Sequence, residues 1–383
     1  MKIVVLDANF TWTQRLFSAC GKSGEVLLLM PREIRSFYRE NGRILGDSQP
    51  RHREHHVWDQ RICFPPGWLF HLWPITERIL ARRVRSFIGR DESVLVACYP
   101  YYAGLAGRLR VPFVYYSMDD YADYWPGRRE ETERRERAAV DQAAATICVS
   151  AHRQELLRGR SAHPERVHYL SHGCSPELLV SKPLKKPLDS PPGFPGAGLR
   201  RPVAGYVGAL NERFDFAYLH EIATRLPEVT FILGGEPPES GVVSMESWRA
   251  YERCRSRANI HFIGRVERAD LRALLQSFDV LLMIYARTDF NTSCSPAKFW
   301  EYLGTSLPIV ANDAVPELRI HGDLLYLSQS PEEFSRNILT ALTSGMRGAE
   351  RRLALAWDHT WDRQAERLLS LPAFSENAGA TRA

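Results

Sequence analysis

The sequence predicts an α/β protein made of two doubly wound parallel sheets, one in each half of the chain. Short apolar runs alternate with helical patterns through both halves, as buried parallel strands and their crossover helices do. A stretch rich in Pro and Gly and without periodicity, residues 181–202, separates the two sets. At 383 residues the chain is also long enough for two hydrophobic cores.

The strands are predicted where the apolar runs are continuous. In the first half these are residues 2–6, 25–30, 93–98, 112–117, 146–150 and 167–170, and in the second half 203–208, 229–235, 259–264, 279–285, 307–312 and 324–327. Helical patterns lie between them, as at residues 130–145, and the chain closes with helical segments near 331–344 and 349–371.

This pattern divides the chain into parts. We expect an N-terminal domain over residues 1–180, a linker over 181–202 and a C-terminal domain over 203–346. We expect the helices and tail of residues 347–383 to return to the N-terminal domain. Doubly wound sheets bind ligands at the carboxyl ends of their strands, so we expect a site in a cleft between the domains.

The composition and net charge indicate which partners and which cellular compartment suit the protein. A net charge of +5 and a pI near 8.8 suit an anionic ligand or an anionic membrane surface, and we expect no nucleic-acid partner. The seven cysteines are scattered without a C-x-x-C pair, which favours reduced thiols in the cytoplasm and argues against a zinc ribbon. No run of about 18 apolar residues predicts a membrane span.

Several motifs are too incomplete to carry a function. The stretch CGKSG, residues 20–24, resembles the end of a P-loop, but Leu16 stands where the first glycine is needed. The three histidines of residues 51–58 are interpreted as part of a solvated loop, since no second cluster completes a metal site. We therefore predict no metal site.

A short helix in the second half carries two opposite charges. Ser295 is predicted as its N-cap, Pro296 as its first residue and Gly304 as the glycine that ends it. Lys298 in the first turn is unfavourable for the helix dipole unless an anion lies nearby. Glu301, on the same face, can accept hydrogen bonds from a diol. The pair suits a diphosphate attached to ribose, and the alternative is a plain Lys–Glu pair.

The second half resembles the donor domain of the GT-B glycosyltransferases, in particular the bacterial family 4-like group with its teichuronic-acid-type enzymes. The similar segments come in family order, and the third contains the P-x-K-x-x-E-Y signature: residues 205–235, 259–285, 295–313 and 358–369. Residues 113–127 and 167–179 resemble less specific acceptor-domain segments. The resemblance implies a GT-B fold, with two Rossmann-like domains facing across a cleft.

It also implies roles for residues of the second half. Glu301 would bind the donor ribose and Lys298 the diphosphate, and backbone at Gly208 would approach the phosphates. Gly264 and Arg265 would hold the nucleotide base, and Arg213 is a second phosphate candidate. The nucleotide-sugar site is thus predicted to contain Gly208, Arg213, Gly264, Arg265, Ser293, Ser295, Lys298 and Glu301.

Two motifs depart from the family pattern. Ser293 replaces the first glutamate of the E-x7-E motif, which leaves the donor sugar and the stereochemistry of transfer open. In the segment SHGCS, His172 and Ser175 replace an Asn and an Asp of the relatives. The first departure is why we retain a non-catalytic nucleotide-sugar-binding relative as an alternative. A GT-B-fold sugar-nucleotide epimerase, which would need no acceptor, is the other alternative.

The acceptor side offers three candidates for a catalytic base. Asp119 and Asp120 follow a predicted strand and are the first and second choices, and His172 is the third. The alternative is that the two aspartates cap and shape a loop. GT-B enzymes generally need no metal, since Lys, Arg and helix dipoles neutralise the leaving diphosphate.

We therefore predict a cytoplasmic, metal-independent glycosyltransferase with a nucleotide-diphosphate sugar as donor, a UDP-sugar being expected, and no other cofactor. The acceptor is predicted to be a saccharide or a lipid-linked saccharide of a cell-surface polysaccharide or glycolipid. Residues 64–90 alternate aromatic and aliphatic residues with arginines, which suits an anionic membrane face and a peripheral location. The alternative is a helix that packs inward and leaves its arginines in solvent.

Overall fold

The computed structural model describes residues 1–184, 187–189 and 198–374. These form two compact units. The first comprises Met1–His172 and the chain from Trp361 on, and the second comprises Gly173–Thr360. Each unit has one sheet, with hydrophobic core on both of its faces.

The first unit holds an eight-stranded sheet of order β3-β4-β2-β1-β5-β6-β7-β8. Its strands are β1 Lys2–Leu6, β2 Glu25–Glu33, β3 Arg51–Glu54, β4 Val57–Phe64, β5 Ser93–Ala97, β6 Phe113–Ser117, β7 Ala145–Cys148 and β8 Val167–Tyr169. Its helices are α1 Thr11–Cys20, α2 Ile34–Asn41, α3 Trp73–Ile88, α4 Ala103–Leu109, α5 Arg129–Gln142 and α6 Ala151–Arg160. Every pairing except that of β3 with β4 is parallel.

The second unit holds a six-stranded parallel sheet of order β11-β10-β9-β12-β13-β14. Its strands are β9 Val203–Val207, β10 Thr230–Gly234, β11 Ile260–Gly264, β12 Val280–Met283, β13 Ile309–Asn312 and β14 Tyr326–Ser328. The helices that follow are α7 Phe216–Arg225, α8 Met245–Arg255, α9 Arg268–Gln276, α10 Asp289–Ser293, α11 Ala297–Leu303, α12 Pro331–Ser344, α13 Ala349–Asp358 and, in the first unit, α14 Trp361–Leu369. The predicted α/β class of two doubly wound sheets is confirmed.

The loop predicted at residues 51–58 is wrong, because these residues form β3 and the start of β4. Strand β4 pairs in parallel with β2 from Val57 to Phe64. Buried residues of β4 alternate with less buried ones that include Asp59 and Arg61, so this strand lacks the continuous apolar run by which the other strands were predicted. The polar residues Asp59 and Arg61 of this strand line a pocket described below.

The C-terminal helical pattern divides differently from the prediction. The helix predicted over 349–371 is two helices, and the chain enters the first unit at Trp361 rather than at residue 347. Helix α13 stays in the second unit because Leu353 and Ala356 join its core and the Arg352 guanidinium donates to the Ser306 carbonyl at 2.9 Å. Helix α14 packs on α1 through Trp361 and other buried apolar residues.

The predicted linker, residues 181–202, is described only in part. Leu184 N donates to Ser306 Oγ at 3.1 Å, and Leu188 N donates to the Gln276 carbonyl at 2.8 Å, so these residues lie on the second unit. The tail after residue 374 lies outside the described residues. Within the described ranges, the helices are all too short or too polar to cross a bilayer.

Candidate functional site

Helix α11 begins differently from the sequence prediction. Pro296 occupies the N-cap position and no side chain caps the helix, so the predicted Ser295 cap is wrong. The buried Ser295 hydroxyl has no hydrogen-bond partner among the residues that the structure describes. A buried hydroxyl without a partner is uncommon and leaves a polar atom available to a ligand.

The helix ends where the sequence predicts, because Gly304 is its C-cap residue. Its φ of −62° is not the left-handed conformation for which glycine is usually favoured at a helix end. A Cβ at this position would lie 2.9 Å from Cys174 Sγ and 3.3 Å from Leu179 Cδ2. Glycine is therefore required here because another segment of the unit packs closely against the helix end.

Lys298 projects from α11 into an aromatic environment. Its Nζ donates to Tyr206 Oη at 2.5 Å and lies 3.7 Å from the centre of the Tyr206 ring and 5.4 Å from that of Tyr285. Tyr206 Oη in turn donates to the Ala209 carbonyl at 2.9 Å. The hydrogen bond and the cation–π contacts hold the ammonium group at the turn that follows β9.

The position of the Lys298 ammonium group also explains why residue 208 is a glycine. A Cβ on Gly208 would lie 2.5 Å from Lys298 Nζ, so any side chain there would displace the lysine. Burial lowers the pKa of Lys298 to about 7, and the nearby Arg213 guanidinium acts in the same direction while Glu301 opposes it. Among the residues that the structure describes, no carboxylate forms an ion pair or hydrogen bond with Lys298, and a half-buried cation in that situation is stabilised when an anion binds beside it.

Glu301, one turn after Lys298, is bound by an arginine that the sequence analysis missed. Arg268 Nη1 donates to Glu301 Oε1 at 2.8 Å, while its Nη2 donates to Glu177 Oε1 at 2.8 Å. Arg268 starts α9, and nothing in its sequence position indicates a partner 33 residues away. The ion pair fixes the Glu301 carboxylate at this edge of the sheet.

The other predicted residues of the second unit lie around the same strand ends. The exposed Arg213 stacks on Phe290, with its guanidinium carbon 3.5 Å from the ring centre. Gly264 ends β11, and its carbonyl accepts from Gly235 N at 2.7 Å. Arg265 is exposed and forms ion pairs with acidic neighbours, and Ser293 is buried at the end of α10.

The three base candidates lie in the first unit. Asp119 is 8% exposed, and its Oδ2 accepts from the Tyr124 hydroxyl at 2.7 Å. Asp120 Oδ1 accepts from Ala122 N at 3.1 Å, and its Oδ2 lies 3.8 Å from Nη1 of the buried Arg153. These contacts favour loop geometry as the role of Asp120.

His172 is the last residue of the first unit before the chain crosses to the second. Its ring lies 5.8 Å from that of Trp12 and 6.2 Å from that of Trp361. Burial lowers its pKa to about 4, so the imidazole is neutral at pH 7. A base with so low a pKa is a weak proton acceptor, which places His172 behind the carboxylates.

Asp7 is a further candidate that the sequence analysis missed. It follows β1 at the carboxyl edge of the sheet and has a φ of +64°, a conformation in which a non-glycine residue stores strain. Asn9 Nδ2 donates to Asp7 Oδ1, and the Tyr102 hydroxyl donates to Oδ2 at 3.0 Å. Burial raises the pKa of Asp7, against the lowering effect of these hydrogen bonds. Strain and a raised carboxyl pKa at a strand end are typical of functional sites.

No group of three or more His, Cys, Asp or Glu side chains that could hold a metal ion occurs in the described part of the chain. The arrangement instead offers cations, amides and carboxylates at the strand ends of each sheet. In the second unit these groups suit an anion beside Lys298 and a hydroxyl-bearing group beside Glu301.

Comparison with known proteins supports this interpretation. Residues 217–370 match a family model described as glycosyl transferase-like. The putative teichuronic acid biosynthesis glycosyltransferase TuaH of Bacillus subtilis (strain 168) is 22% identical over 187 residues, which are 49% of this chain and 44% of that protein. The matched stretch therefore spans less than half of that relative's length.

Solved structures match nearly the whole chain at low identity. Sucrose-phosphate synthase from Thermosynechococcus elongatus has a TM-score of 0.70 and 14% identity, with 96% of each chain covered. Anabaena Alr3699/HepE in complex with UDP-glucose has a TM-score of 0.67 and 15% identity, with 97% of this chain and 99% of that chain covered. The resemblance to the glycosyltransferases is confirmed, and the chain has the GT-B fold.

Proposed function

We propose that the protein is a glycosyltransferase that moves a sugar from a nucleotide-diphosphate sugar to an acceptor hydroxyl. The observation that carries the proposal is the placement of Lys298 at the turn after β9, with Glu301 one helical turn further on. The glycosyl transferase-like match covers both residues. The second unit is the donor side in this proposal, and the first is the acceptor side.

Lys298 neutralises the diphosphate of the donor. Its contacts are to a neutral phenol and aromatic rings, so the positive charge is available to an anion. The charge on the diphosphate grows as the sugar leaves, and a fixed cation stabilises that change without needing a metal. The exposed Arg213 supplies a second positive charge near Lys298.

Glu301 accepts hydrogen bonds from the ribose of the donor. Its Oε1 already accepts from Arg268, which holds the carboxylate in one orientation. The two oxygens of a carboxylate offer about four acceptor sites, so the ribose hydroxyls can bind while Arg268 stays in place. A UDP-sugar is the donor that we propose, because HepE is described in complex with UDP-glucose.

The base in an inverting transfer is Asp119 in this proposal. It is buried at the carboxyl end of β6 and oriented by the Tyr124 hydroxyl. A carboxylate held in this way can take the proton of an acceptor hydroxyl. Asp7 is the second choice, since its strained backbone and raised pKa suit the same task.

The acceptor is a saccharide or lipid-linked saccharide of a cell-surface polysaccharide or glycolipid, and the protein acts in the cytoplasm at the membrane surface. Support comes from the outer face of α3, which exposes Ile75, Ile79, Arg78 and Arg82. Exposed aliphatic side chains beside arginines suit the interface of an anionic leaflet. The TuaH name also refers to teichuronic acid biosynthesis, which is compatible with such an acceptor.

A two-step experiment tests the proposal. A thermal-shift screen with UDP-, GDP- and dTDP-sugars identifies the donor, since a ligand at 100 times its Kd adds about 2.7 kcal/mol of stability. The stabilising donor is then incubated with and without a membrane extract, and the products are analysed by mass spectrometry. We expect transfer only with the extract, and loss of transfer in Lys298→Ala.

Other outcomes point to the alternatives. An isomerised donor formed without extract would identify an epimerase. Donor binding without any turnover in a competent extract would identify a nucleotide-sugar-binding protein, as the Ser293 departure allows. Absence of stabilisation by every nucleotide-sugar would reject the proposed function itself.

A further inference from the structure

A polar pocket opens in the first unit, near the end of β1. It has a volume of about 260 Å³. Its lining comes from the ends of β1 and β2, the helices α1 and α2, and the hairpin strands β3 and β4: Asn9, Gln14, Met30, Arg32, Phe37, Glu40, Asn41, Arg53, Asp59 and Arg61. The volume lies just below the range of about 300–1,000 Å³ that is common for small-molecule sites, so the pocket suits a single sugar unit rather than a nucleotide-sugar.

The lining is dominated by planar polar groups. Asn9, Gln14 and Asn41 supply side-chain amides, and the three arginines supply guanidinium groups. These side chains can donate several hydrogen bonds in fixed directions, and the amides can also accept. Such a lining suits a polyhydroxylated ligand, whose hydroxyl groups both donate and accept.

The charges of the pocket leave an excess of positive groups. Arg32 Nε lies 3.5 Å from Glu40 Oε2, so these two charges largely cancel. Arg53 Nη1 donates to the neutral Gln14 amide at 2.9 Å, and its Nε lies 4.0 Å from Glu54 Oε1. The Arg61 guanidinium forms no ion pair with any residue in the described part of the chain. Arg61 is therefore the arginine of the lining whose charge is most available to a ligand, and Asp59 is the remaining carboxylate of the lining.

The pocket is connected to the strained carboxyl group at the end of β1. Asn9, which lines the pocket, donates through Nδ2 to Asp7 Oδ1 and to the Pro31 carbonyl at 3.0 Å. The positive charge of Arg32, another lining residue, lowers the pKa of Asp7. A ligand in the pocket would thus be separated from the Asp7 carboxyl group by the Asn9 side chain.

We propose that this pocket binds an acidic sugar unit of the acceptor, with Arg61 binding its carboxylate or phosphate group. A guanidinium fork matches either anion through two parallel hydrogen bonds. The inference rests on the proposed function, because it names the acceptor class of that reaction. It also specifies a recognition site on the β3–β4 hairpin, of which residues 51–58 were predicted as a solvated loop.

Binding of three simple sugars tests the proposal. Methyl glucoside, methyl glucuronide and methyl glucoside 6-phosphate are titrated by saturation-transfer NMR into the full chain, in a buffer without phosphate and with UDP present. We expect at least one anionic sugar to bind about tenfold or more tightly than the neutral glucoside, the gain typical of a charge-assisted hydrogen bond. The two anionic sugars distinguish a carboxylate from a phosphate as the group that is recognised.

Arg61→Gln is the test variant because it removes the charge and keeps a polar side chain. It should lose the preference for the anionic sugar while the affinity for the neutral glucoside and for UDP stays unchanged. Arg134→Gln is the matched control, since Arg134 is an exposed arginine on α5 outside the pocket. The control should keep the wild-type preference.

Three results would overturn the proposal: equal binding of neutral and anionic sugars, a preference that survives in Arg61→Gln, or no binding of either anionic sugar at its solubility limit. Failure of the proposed function is a separate result. It would appear as no stabilisation by any nucleotide-sugar, whether or not the pocket prefers anionic sugars.

Discussion

At the scale of single residues, the charge state of Lys298 determines how donor affinity should depend on pH. The protonated lysine is the form that attracts a diphosphate, and burial holds its pKa at about 7 in the free protein. An anion bound beside it would raise that pKa, so binding should take up protons. The free lysine is increasingly neutral above pH 7, and donor affinity should therefore fall as the pH rises.

The predicted pH effect can be measured with a UDP-sugar, whose diphosphate, unlike that of UDP, has no second ionisation near neutral pH. Affinity should be nearly constant below the pKa of about 7 and should fall by up to about tenfold per pH unit above it. Calorimetry at pH 7 in buffers of different ionisation enthalpy should detect uptake of about half a proton. Lys298→Met should bind the UDP-sugar weakly and without this pH dependence. An unchanged affinity between pH 7 and pH 9 in the wild type would contradict the placement of the diphosphate at Lys298.

Glu301→Ala should weaken donor binding by roughly 10–150-fold, the range that one charged hydrogen-bond acceptor contributes. Arg268→Gln should cause a smaller loss, because it removes the support of the carboxylate but leaves the carboxylate itself. Calorimetry with the UDP-sugar gives both values. Equal affinities in Glu301→Ala and wild type would show that the ribose does not bind there.

Asp119→Asn should reduce the rate of sugar transfer by about 10²–10⁴-fold if the transfer inverts, the usual effect of losing a general base. Donor binding should remain, because Asp119 lies in the first unit. Asp7→Asn and Asp120→Asn are assayed beside it, and NMR of the product gives the anomer. An inverted product formed at wild-type rate by Asp119→Asn would transfer the role to whichever of the other two aspartates is inactive.

At the scale of secondary-structure elements, α11 is positioned by a close contact at its end. Gly304→Ala would place a methyl group 2.9 Å from Cys174 Sγ, and we expect a loss of about 1–3 kcal/mol in the free energy of unfolding, as for other overpacked sites. Gly107→Ala in α4 is the control, since nothing lies within 4 Å of its added Cβ. That variant should be stabilised by about 1 kcal/mol, through helix propensity. Urea unfolding measures both, and equal effects would contradict the contact.

At the scale of the whole molecule, the outer surface of α3 bears on where the protein acts. Arg83 Nη1 donates to the Ser48 carbonyl at 2.6 Å, which ties the helix to the segment carrying Ile44 and Leu45, 56% and 75% exposed. Arg83 is therefore partly structural. The exposed Arg78 and Arg82 are better probes of a membrane contact.

Arg78→Ser/Arg82→Ser should lower binding to anionic liposomes, since each basic residue near such a surface contributes about 1 kcal/mol. Arg253→Ser/Arg336→Ser is a control with the same net charge and exposed positions in the second unit. It should sediment with the liposomes as the wild type does. If both double variants lost binding equally, the attraction would depend on net charge, and α3 would not be a membrane face.

The sequence by itself determined the α/β class, the duplicated sheets and the placement of both Lys298 and Glu301 on one short helix. These features depend on local patterns, because apolar runs, crossover helices and the positions of Pro and Gly are visible within a few residues. Strand β4 was not predicted because polar residues interrupt its apolar ones. The break between α13 and α14 was not predicted because there is no Gly or Pro at His359.

Only the tertiary structure decided which distant residues complete each site. Tyr206 holds the Lys298 ammonium from 92 residues away, and Arg268 holds Glu301 from 33 residues away. Asp7 is notable only for its positive φ and its burial, neither of which its neighbours in the sequence specify. Parallel sheets join segments that are distant in the chain at one edge, so the partners of a functional side chain there depend on strand order and not on sequence spacing.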